Sequence, residues 1–261
     1  MRILFLGDIV GKPGRTIIKK LLPDLRKDES IDLVVANGEN AAAGSGLIPR
    51  LADELLESGI DVLTSGDHIW KKRDIYDYLK VSGRLIRPAN YPEGAPGRGS
   101  TVVDTASGKK VAVINIIGRV FMDAVDCPFA RVKKEIKTVS KLADIIIVDL
   151  HAEATSEKIA MGWYLDGEVS AVLGTHTHIQ TADERILPKG TAYITDCGMT
   201  GPYDSVIGRD KERIIEHFVT RLPIRFEMAE ENVEMRGVII DIDDETARAD
   251  AIKRVQVGYD G

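Results

Sequence analysis

Residues 31–65, IDLVVANGENAAAGSGLIPRLADELLESGIDVLTS, contain two strand-like apolar runs with one helical pattern between them. The first run covers 31–36, and Pro49 begins the helical pattern at a first-turn position that favours proline. Gly59 ends that pattern, and the second apolar run follows at 61–65. A strand, a helix and a strand over this length predict a right-handed crossover between parallel strands. The segment therefore predicts an α/β fold.

Strands and helices continue to alternate on both sides of this segment. A buried strand is predicted at 2–6, a Gly/Pro-rich loop at 7–14 and a helix at 15–27, in which Pro23 should cause a break or kink. Further helices are predicted at 71–80 and 129–142, and a further strand at 144–150.

Two other regions have the alternating pattern of hairpins. Residues 100–105 and 110–117 flank a Ser-Gly turn at 107–108, and residues 234–243 and 251–257 form a second pair, expected at a sheet edge. Parallel strands together with hairpins predict two mixed sheets, or one, with helices outside.

Between these regions, residues 84–100 are rich in proline and glycine, which predicts a long surface loop or lid. No linker or repeat divides the chain, so residues 1–261 are predicted to form a single domain.

Composition limits the classes of function. The net charge of −6 argues against a broad nucleic-acid-binding surface, although it leaves room for a small anionic substrate bound through metal ions. Cys127 and Cys197 are too few and too distant for a disulfide scaffold or a zinc module, so both are expected to be reduced thiols. The sequence shows neither a signal-peptide pattern nor a membrane span, and a cytoplasmic protein without membrane contact is expected.

Histidines and carboxylates follow five of the apolar strand-like runs. Ligands of open α/β sheets bind beyond the carboxyl ends of the strands. Imidazole and carboxylate are standard ligands of divalent metals, so these positions predict a metal-dependent hydrolase. The residues concerned are Asp8, Glu39, Asp67, His68, His151, His176 and His178.

The single positions differ in how specific they are. Asp8 alone could equally cap a helix, and Asn40 could be a ligand or a turn former. His176 and His178 are the most specific pair, because residues two apart in an extended chain point the same way. His217 lies in a helical pattern and is expected to be structural.

Four longer motifs carry a family resemblance: LVVANGENAAAGSGL (33–47), SGDHIW (65–70), YLDGEVSAVLGTHTHIQTADERILP (164–188) and TAYITDCGMTGPYDSVIG (191–208). Over nearly the whole chain, the sequence resembles the YmdB family of calcineurin-like metallophosphoesterases. The resemblance implies a four-layer αββα sandwich of two mixed sheets flanked by helices, with a two-metal site at their common edge. It also implies phosphodiesterase activity on 2′,3′-cyclic nucleotides and favours a homo-oligomer.

The resemblance also implies roles for single residues. One metal would be surrounded by Asp8, Glu39, Asn40 and His178. Glu39 would bridge to a second metal, which would be held by Asp67, His151 and His176. His68 would stand near the phosphate as the general acid or as a phosphate-binding group. The mixed nitrogen and oxygen ligands suit iron or manganese first, with zinc or cobalt as alternatives.

The expected reaction is attack on phosphorus by a hydroxide that bridges the two metals. Two other functions remain open at this point. The same cluster could hydrolyse phosphomonoesters, or the metals could stabilise a regulatory protein with little turnover. A metal-dependent amidohydrolase is disfavoured, because the sequence has no His-Glu-x-x-His motif.

The chain departs from related patterns at two positions. Val10 stands where the wider superfamily has a histidine, a difference that the YmdB group shares. Asp67 stands where family members have asparagine in a Gly-Asn-His motif. A carboxylate there adds a negative charge beside the expected phosphate position, which should tighten metal binding and weaken attraction for an anionic substrate.

The Asp67→Asn variant is therefore expected to turn over phosphodiesters faster than the natural chain, with a changed metal preference. Steady-state phosphodiesterase assays of both proteins, each loaded with the same metal, measure this difference. An unchanged or reduced rate would contradict the expected effect of the Asp67 carboxylate on the attraction of an anionic substrate.

Overall fold

The computed structural model describes residues 1–258 and contains two β-sheets with helices on their outer sides. The strands are β1 (Arg2–Leu6), β2 (Asp8–Ile9), β3 (Leu33–Asn37), β4 (Val62–Thr64), β5 (Ser100–Asp104), β6 (Lys110–Ile117), β7 (Ile145–His151), β8 (Ala171–Thr175), β9 (Arg185–Ile186), β10 (Ala192–Ile194), β11 (Met199–Pro202), β12 (Val233–Ile242) and β13 (Ala249–Gly258). The helices are α1 (Gly11–Asp28), α2 (Pro49–Glu57), α3 (Ile75–Val81), α4 (Pro128–Val139), α5 (Thr155–Leu165) and α6 (Lys211–Thr220), with a short 3₁₀ helix at Asp67–Lys71.

Both sheets are mixed. The first has the order β2-β11-β12-β1-β3-β4, with β13 paired to β12, and the second has the order β5-β6-β7-β8-β10-β9. In the first sheet β1, β3 and β4 are parallel, and β12 runs antiparallel to β1. In the second sheet β6, β7, β8 and β10 are parallel, and the edge strands β5 and β9 are antiparallel. The parallel strands of each sheet therefore end at one edge.

An apolar core fills the space between the two sheets. Phe5 and Val35 of the first sheet meet Val113, Ile147 and Leu173 of the second, and all five side chains are fully buried. Because successive side chains of a strand point to opposite faces, each strand also supplies residues to an outer face. This explains why the strands appear in the sequence as continuous apolar runs rather than as alternating ones.

The helices cover the outer faces of both sheets. Val34, on the opposite face of β3 from Val35, packs in a second core with Ile18 of α1 and Leu51 of α2. On the other side, Val148 of β7 packs with Met161 of α5. The layers follow the order helix, sheet, sheet, helix, which confirms the four-layer αββα sandwich of two mixed sheets.

The first helix differs from its prediction. It begins at Gly11, inside the expected loop at 7–14, and continues through Pro23 to Asp28. Proline removes the hydrogen bond to the carbonyl four residues earlier, and here both Pro23 and Lys19 are exposed, so the loss falls on the solvent side. The predicted break is therefore wrong, and the alternative of a kink stays a prediction. The helices α3 and α4 are also offset from their predicted ranges.

The prediction of a surface loop or lid at 84–100 is wrong for 85–90, which are buried. The backbone N–H of Leu63 in β4 donates to the carbonyl of Arg84 at 2.7 Å, and the N–H of Ile86 donates to the carbonyl of Leu63 at 2.9 Å. This part of the segment runs beside β4 and belongs to the body of the protein.

Other expectations are confirmed or stay open. The two predicted hairpins are confirmed by the antiparallel pairs β5–β6 and β12–β13. Cys127 and Cys197 are free thiols, as predicted. Within residues 1–258, no helix is long and apolar enough to cross a membrane. The single domain at 1–261, the cytoplasmic location and the homo-oligomer stay predictions.

Candidate metal centre

The predicted site residues lie at one rim, where the parallel strands of both sheets end. Asp8 is in β2 and His151 is the last residue of β7, while the others lie in the segments that follow β3, β4 and β8. Contacts join the two sheets at this rim, since the carboxylate of Glu39 lies beside the ring of His151. The side chains that meet here are Asp8, Glu39, Asn40, Asp67, His68, His151, His176 and His178.

Four of these residues form a compact quartet, in which ligand atoms of all four lie within 4.8 Å of one another: Glu39, Asp67, His151 and His176. The Nε2 atom of His151 lies 3.1 Å from Glu39 Oε1 and 3.3 Å from Asp67 Oδ1. It also lies 3.0 Å from His176 Nδ1. Two carboxylates and two imidazoles thus face a common point, which is a donor set typical of a divalent metal.

A second group adjoins the quartet. The Nδ2 atom of Asn40 lies 3.3 Å from Asp8 Oδ1 and 3.2 Å from His178 Nε2. The other oxygen of Asp8 accepts the backbone N–H of His176 at 3.0 Å, which links the two groups. In this orientation Asn40 presents its amide nitrogen to Asp8, and ligation of a cation would require the amide oxygen to take that place.

His68 is one of the residues of this centre that line a cleft of about 260 Å³. Its Nδ1 atom is 2.6 Å from Asn40 Oδ1, so Nδ1 donates, because an amide oxygen only accepts. Its backbone N–H donates to Glu39 Oε2 at 3.0 Å, and its side chain is 32% exposed. The ring is therefore fixed at one nitrogen and accessible from the cleft. The cleft is lined by Glu39, Asn40, His68, Glu153, His176, Thr177, His178 and Ile207.

The pKa values of three residues in the quartet are shifted, because charged groups lie close together in a buried site. Burial and the neighbouring His151 lower the pKa of His176 to about 4, which leaves that imidazole neutral at pH 7. Burial raises the pKa of Asp67, but the interaction with His151 and the nearby imidazoles outweighs it and holds the pKa well below its usual value. For His151, burial is outweighed by Glu39 and Asp67, so its pKa is raised. The same negative charge that holds this proton would also favour a metal cation.

Two local features fit a bound cation. The Oδ1 atom of Asp67 is buried without a well-aligned hydrogen-bond donor, although a buried carboxylate oxygen normally has a partner. Gly66 packs so tightly that a Cβ atom there would overlap the ring of His151 and the carboxylate of Glu39. The residues present, with an orphaned oxygen among nitrogen and oxygen donors, therefore fit a metal.

Each of the three histidines that are predicted ligands is oriented by a partner on its far nitrogen. His178 Nδ1 donates to the carbonyl of Ile207 at 3.0 Å. His176 Nε2 lies 3.1 Å from Glu153 Oε2. These contacts leave His178 Nε2 and His176 Nδ1 facing the centre, the arrangement that fixes tautomers in metal sites.

His151 is oriented from beneath by a buried chain of hydrogen bonds. Thr175 Oγ1 donates to Asp149 Oδ1 at 2.7 Å and lies 3.0 Å from His151 Nδ1, so it accepts from that nitrogen. The sequence prediction missed Thr175, Asp149 and Glu153. Asp149 lies two residues before His151 on the same strand face, which is the one signal that could have identified it.

His176 and His178 do not lie in an extended chain, so that expectation is wrong: they lie after the end of β8, in a strained loop. The φ angles of these residues are 104° and 65°, in a region that side-chain-bearing residues rarely adopt. Such conformations cost about 1–3 kcal/mol each and persist where the surroundings hold them. His217, by contrast, is a residue of α6 with Nδ1 2.8 Å from the carbonyl of Leu222, away from the rim.

A buried rim of histidines and carboxylates on an αββα sandwich defines a metallophosphoesterase-type protein. The model of the YmdB-like protein family matches residues 4–255. The chain belongs to this family.

Two curated relatives extend over the whole chain. The 2′,3′-cyclic-nucleotide 2′-phosphodiesterase of Bacillus subtilis is 52% identical over 260 residues, covering 100% of this chain and 98% of that protein. A Mycoplasma genitalium protein, named as a candidate phosphatase/phosphodiesterase, is 37% identical and is covered over 94% of its length. The prediction of an enzyme that hydrolyses phosphoric diesters is confirmed by these relatives.

Two crystal structures share the fold closely. A hypothetical protein from Thermus thermophilus has a TM-score of 0.92 and 41% identity, with 99% of both chains covered. A novel phosphatase from Mycoplasma pneumoniae has a TM-score of 0.92 and 35% identity, with 99% of this chain and 93% of that chain covered.

The Gly66→Ala variant is expected to bind metal more weakly, because the added methyl group displaces His151 or Glu39. Isothermal titration with Mn²⁺ measures the effect, and a Kd roughly 10–100-fold higher than that of the natural chain is expected, as for other changes that misplace metal ligands. Gly83→Ala is the matched control, since a Cβ atom at Gly83 meets no atom within 4 Å. Equal Mn²⁺ affinity in the two variants would contradict the packing argument.

Proposed function

We propose that this protein is a two-metal phosphodiesterase that hydrolyses nucleoside 2′,3′-cyclic phosphates. The observation that carries the proposal is the convergence of Glu39, Asp67, His151 and His176 within 4.8 Å, on a chain 52% identical to a 2′,3′-cyclic-nucleotide phosphodiesterase. Two larger clefts, of about 420 and 510 Å³, lie beside α1 and are lined by no histidine of the described residues. The smaller cleft at the rim is therefore the proposed substrate site.

The ligand allocation follows the family resemblance. The contacts of the carboxylates and histidines support it, whereas the amide of Asn40 would have to turn to present its oxygen. Asp8, Asn40 and His178 would hold one cation, and Asp67, His151 and His176 the other, with Glu39 between them. Asp8 Oδ1 lies 3.7 Å from His178 Nε2, and Glu39 Oε1 lies 3.1 Å from His151 Nε2. Iron or manganese is the proposed pair of metals, with zinc or cobalt as alternatives, because the donors are imidazole and carboxylate.

When bound, the cations would polarise the phosphodiester and lower the pKa of water at the centre. The protein itself fixes the geometry. Glu39 accepts the backbone N–H of His68 at 3.0 Å, which holds the histidine beside the centre. If the amide of Asn40 turns so that its oxygen meets the cation, its nitrogen faces His68 Nδ1 and donates to it. The ring proton of His68 would then lie on Nε2, from where it could pass to the leaving ribose oxygen. That proton transfer makes His68 the proposed general acid.

A paired assay tests the substrate class. We expect 2′,3′-cyclic AMP to be hydrolysed and AMP to be left unchanged by the same Mn²⁺-loaded protein, and activity to disappear with a chelator. Preferred hydrolysis of AMP would replace the proposal with a phosphomonoesterase. Tight Mn²⁺ binding without turnover of either compound would replace it with a regulatory role for the metal-bound protein.

The His68→Ala variant tests the general acid. Turnover of 2′,3′-cyclic AMP is expected to fall by roughly 10²–10⁴-fold, the usual contribution of general acid catalysis. The Mn²⁺ content, measured by elemental analysis, should stay at the natural value. His217→Ala, at a histidine of α6 away from the rim, is the control and should retain full turnover. Loss of metal from His68→Ala would reassign His68 as a ligand.

A further inference from the structure

A fully buried ion pair lies behind the histidine loop. Lys158 Nζ of α5 donates to Asp196 Oδ2 at 2.7 Å, and each side chain is 1% exposed. Burying two charges costs several kcal/mol per ion unless further hydrogen bonds compensate them. A pair in this position therefore needs an explanation beyond the stability of the fold.

Asp196 is bound to the backbone of the centre through both of its oxygens. Its Oδ2 atom accepts the N–H of Thr177 at 3.1 Å, and Thr177 is the residue between the two strained histidines. Its Oδ1 atom accepts the N–H of Gly198 at 2.8 Å. The carbonyl of Gly198 in turn accepts the N–H of Asp8 at 3.1 Å. The carboxylate of Asp196 is thus linked by hydrogen bonds to the backbone beside His176 and His178 and, through Gly198, to the backbone of Asp8.

Lys158 compensates the negative charge of Asp196, the carboxylate that accepts these backbone N–H groups. Without the lysine, the Asp196 carboxylate would be buried with an uncompensated charge, which favours a rotation that gives up the two backbone N–H groups. The lysine neutralises Asp196 and occupies one lone pair of Oδ2, which leaves the other to Thr177. The orientation of the histidine loop therefore depends on a residue of α5 that lies behind the loop rather than in the metal centre.

We propose that Lys158 and Asp196 are positioning residues, which hold the strained loop so that His176 and His178 each present one nitrogen to the metal centre. The inference rests on the proposed metal site. Partners of this kind typically change metal affinity by roughly 10–100-fold when they are replaced. The effect reaches both cations, because the loop supplies one histidine to each.

Isothermal titration with Mn²⁺ tests the proposal on the full chain. Lys158→Met keeps an unbranched side chain one atom shorter and removes its charge, and a Kd roughly 10–100-fold higher is expected. Asp196→Asn is a second variant, because an amide has one oxygen and cannot accept both N–H groups. Turnover of 2′,3′-cyclic AMP should recover at saturating Mn²⁺, since the loss acts through affinity.

The double variant Lys158→Met/Asp196→Asn separates positioning from stability. Replacing both charges removes the buried unpaired ion, so its thermal stability should exceed that of Lys158→Met, while its Mn²⁺ affinity stays low.

Asp166→Asn is the matched control. Asp166 is a buried carboxylate directly after α5 that accepts the backbone N–H of Lys189 at 3.2 Å, a contact away from the rim. It should keep natural Mn²⁺ affinity even if its melting temperature falls.

Natural Mn²⁺ affinity in both Lys158→Met and Asp196→Asn would overturn the proposal. An equal loss of Mn²⁺ affinity in Asp166→Asn would also overturn it, because lower stability of the fold would then be enough to explain the weaker binding. Absence of Mn²⁺ binding by the natural chain would instead overturn the proposed metal site.

Discussion

The packing of the two sheets through their shared apolar core is the constraint on which the metal centre depends. Phe5 and Val35 on one side, and Val113, Ile147 and Leu173 on the other, hold the sheets in a fixed relation. Asp8, Glu39 and Asp67 come from the first sheet, and His151 and both loop histidines from the second. Neither sheet contains a complete set of the proposed ligands, so the centre exists only where both rims meet.

The centre concentrates charge that the fold alone does not balance. Glu39 is 1% exposed and Asp8 is fully buried, while Asp67 Oδ1 has no well-aligned donor among the described residues. Buried carboxylates of this density are stable when a cation or a proton compensates them. Glu39 and Asp67 raise the pKa of His151, so a proton on its ring is one way to compensate the carboxylates. A divalent cation would compensate them while leaving the imidazoles neutral.

The proposed ligands are held in place by a second set of hydrogen-bonding groups. Glu153, Thr175 and Ile207 each bind the far nitrogen of one histidine, and the pair of Lys158 and Asp196 holds the backbone of the loop. These partners come from distant parts of the chain. Strain at His176 and His178 is maintained because several independent contacts oppose its release.

Much of the fold was predictable from local pattern, since strand–helix alternation and hairpin turns are short-range properties. The errors arose where the surroundings in the folded chain, rather than local preference, decide the conformation. Pro23 continues in a helix because its missing hydrogen bond lies on the exposed side. Residues 85–90 of the Pro/Gly-rich segment are buried because backbone hydrogen bonds join Ile86 to β4 and Ala89 to β6, two strands distant in sequence.

By itself, the sequence determined the chemistry that is available at the strand ends and the direction in which the strands run. Imidazoles and carboxylates placed after apolar runs must gather at the edge where parallel strands end. Only the tertiary structure decided which nitrogen of each histidine faces inward, and which buried groups hold it there. Those choices depend on hydrogen bonds between residues far apart in the chain, such as Thr177 with Asp196, and no local pattern encodes them.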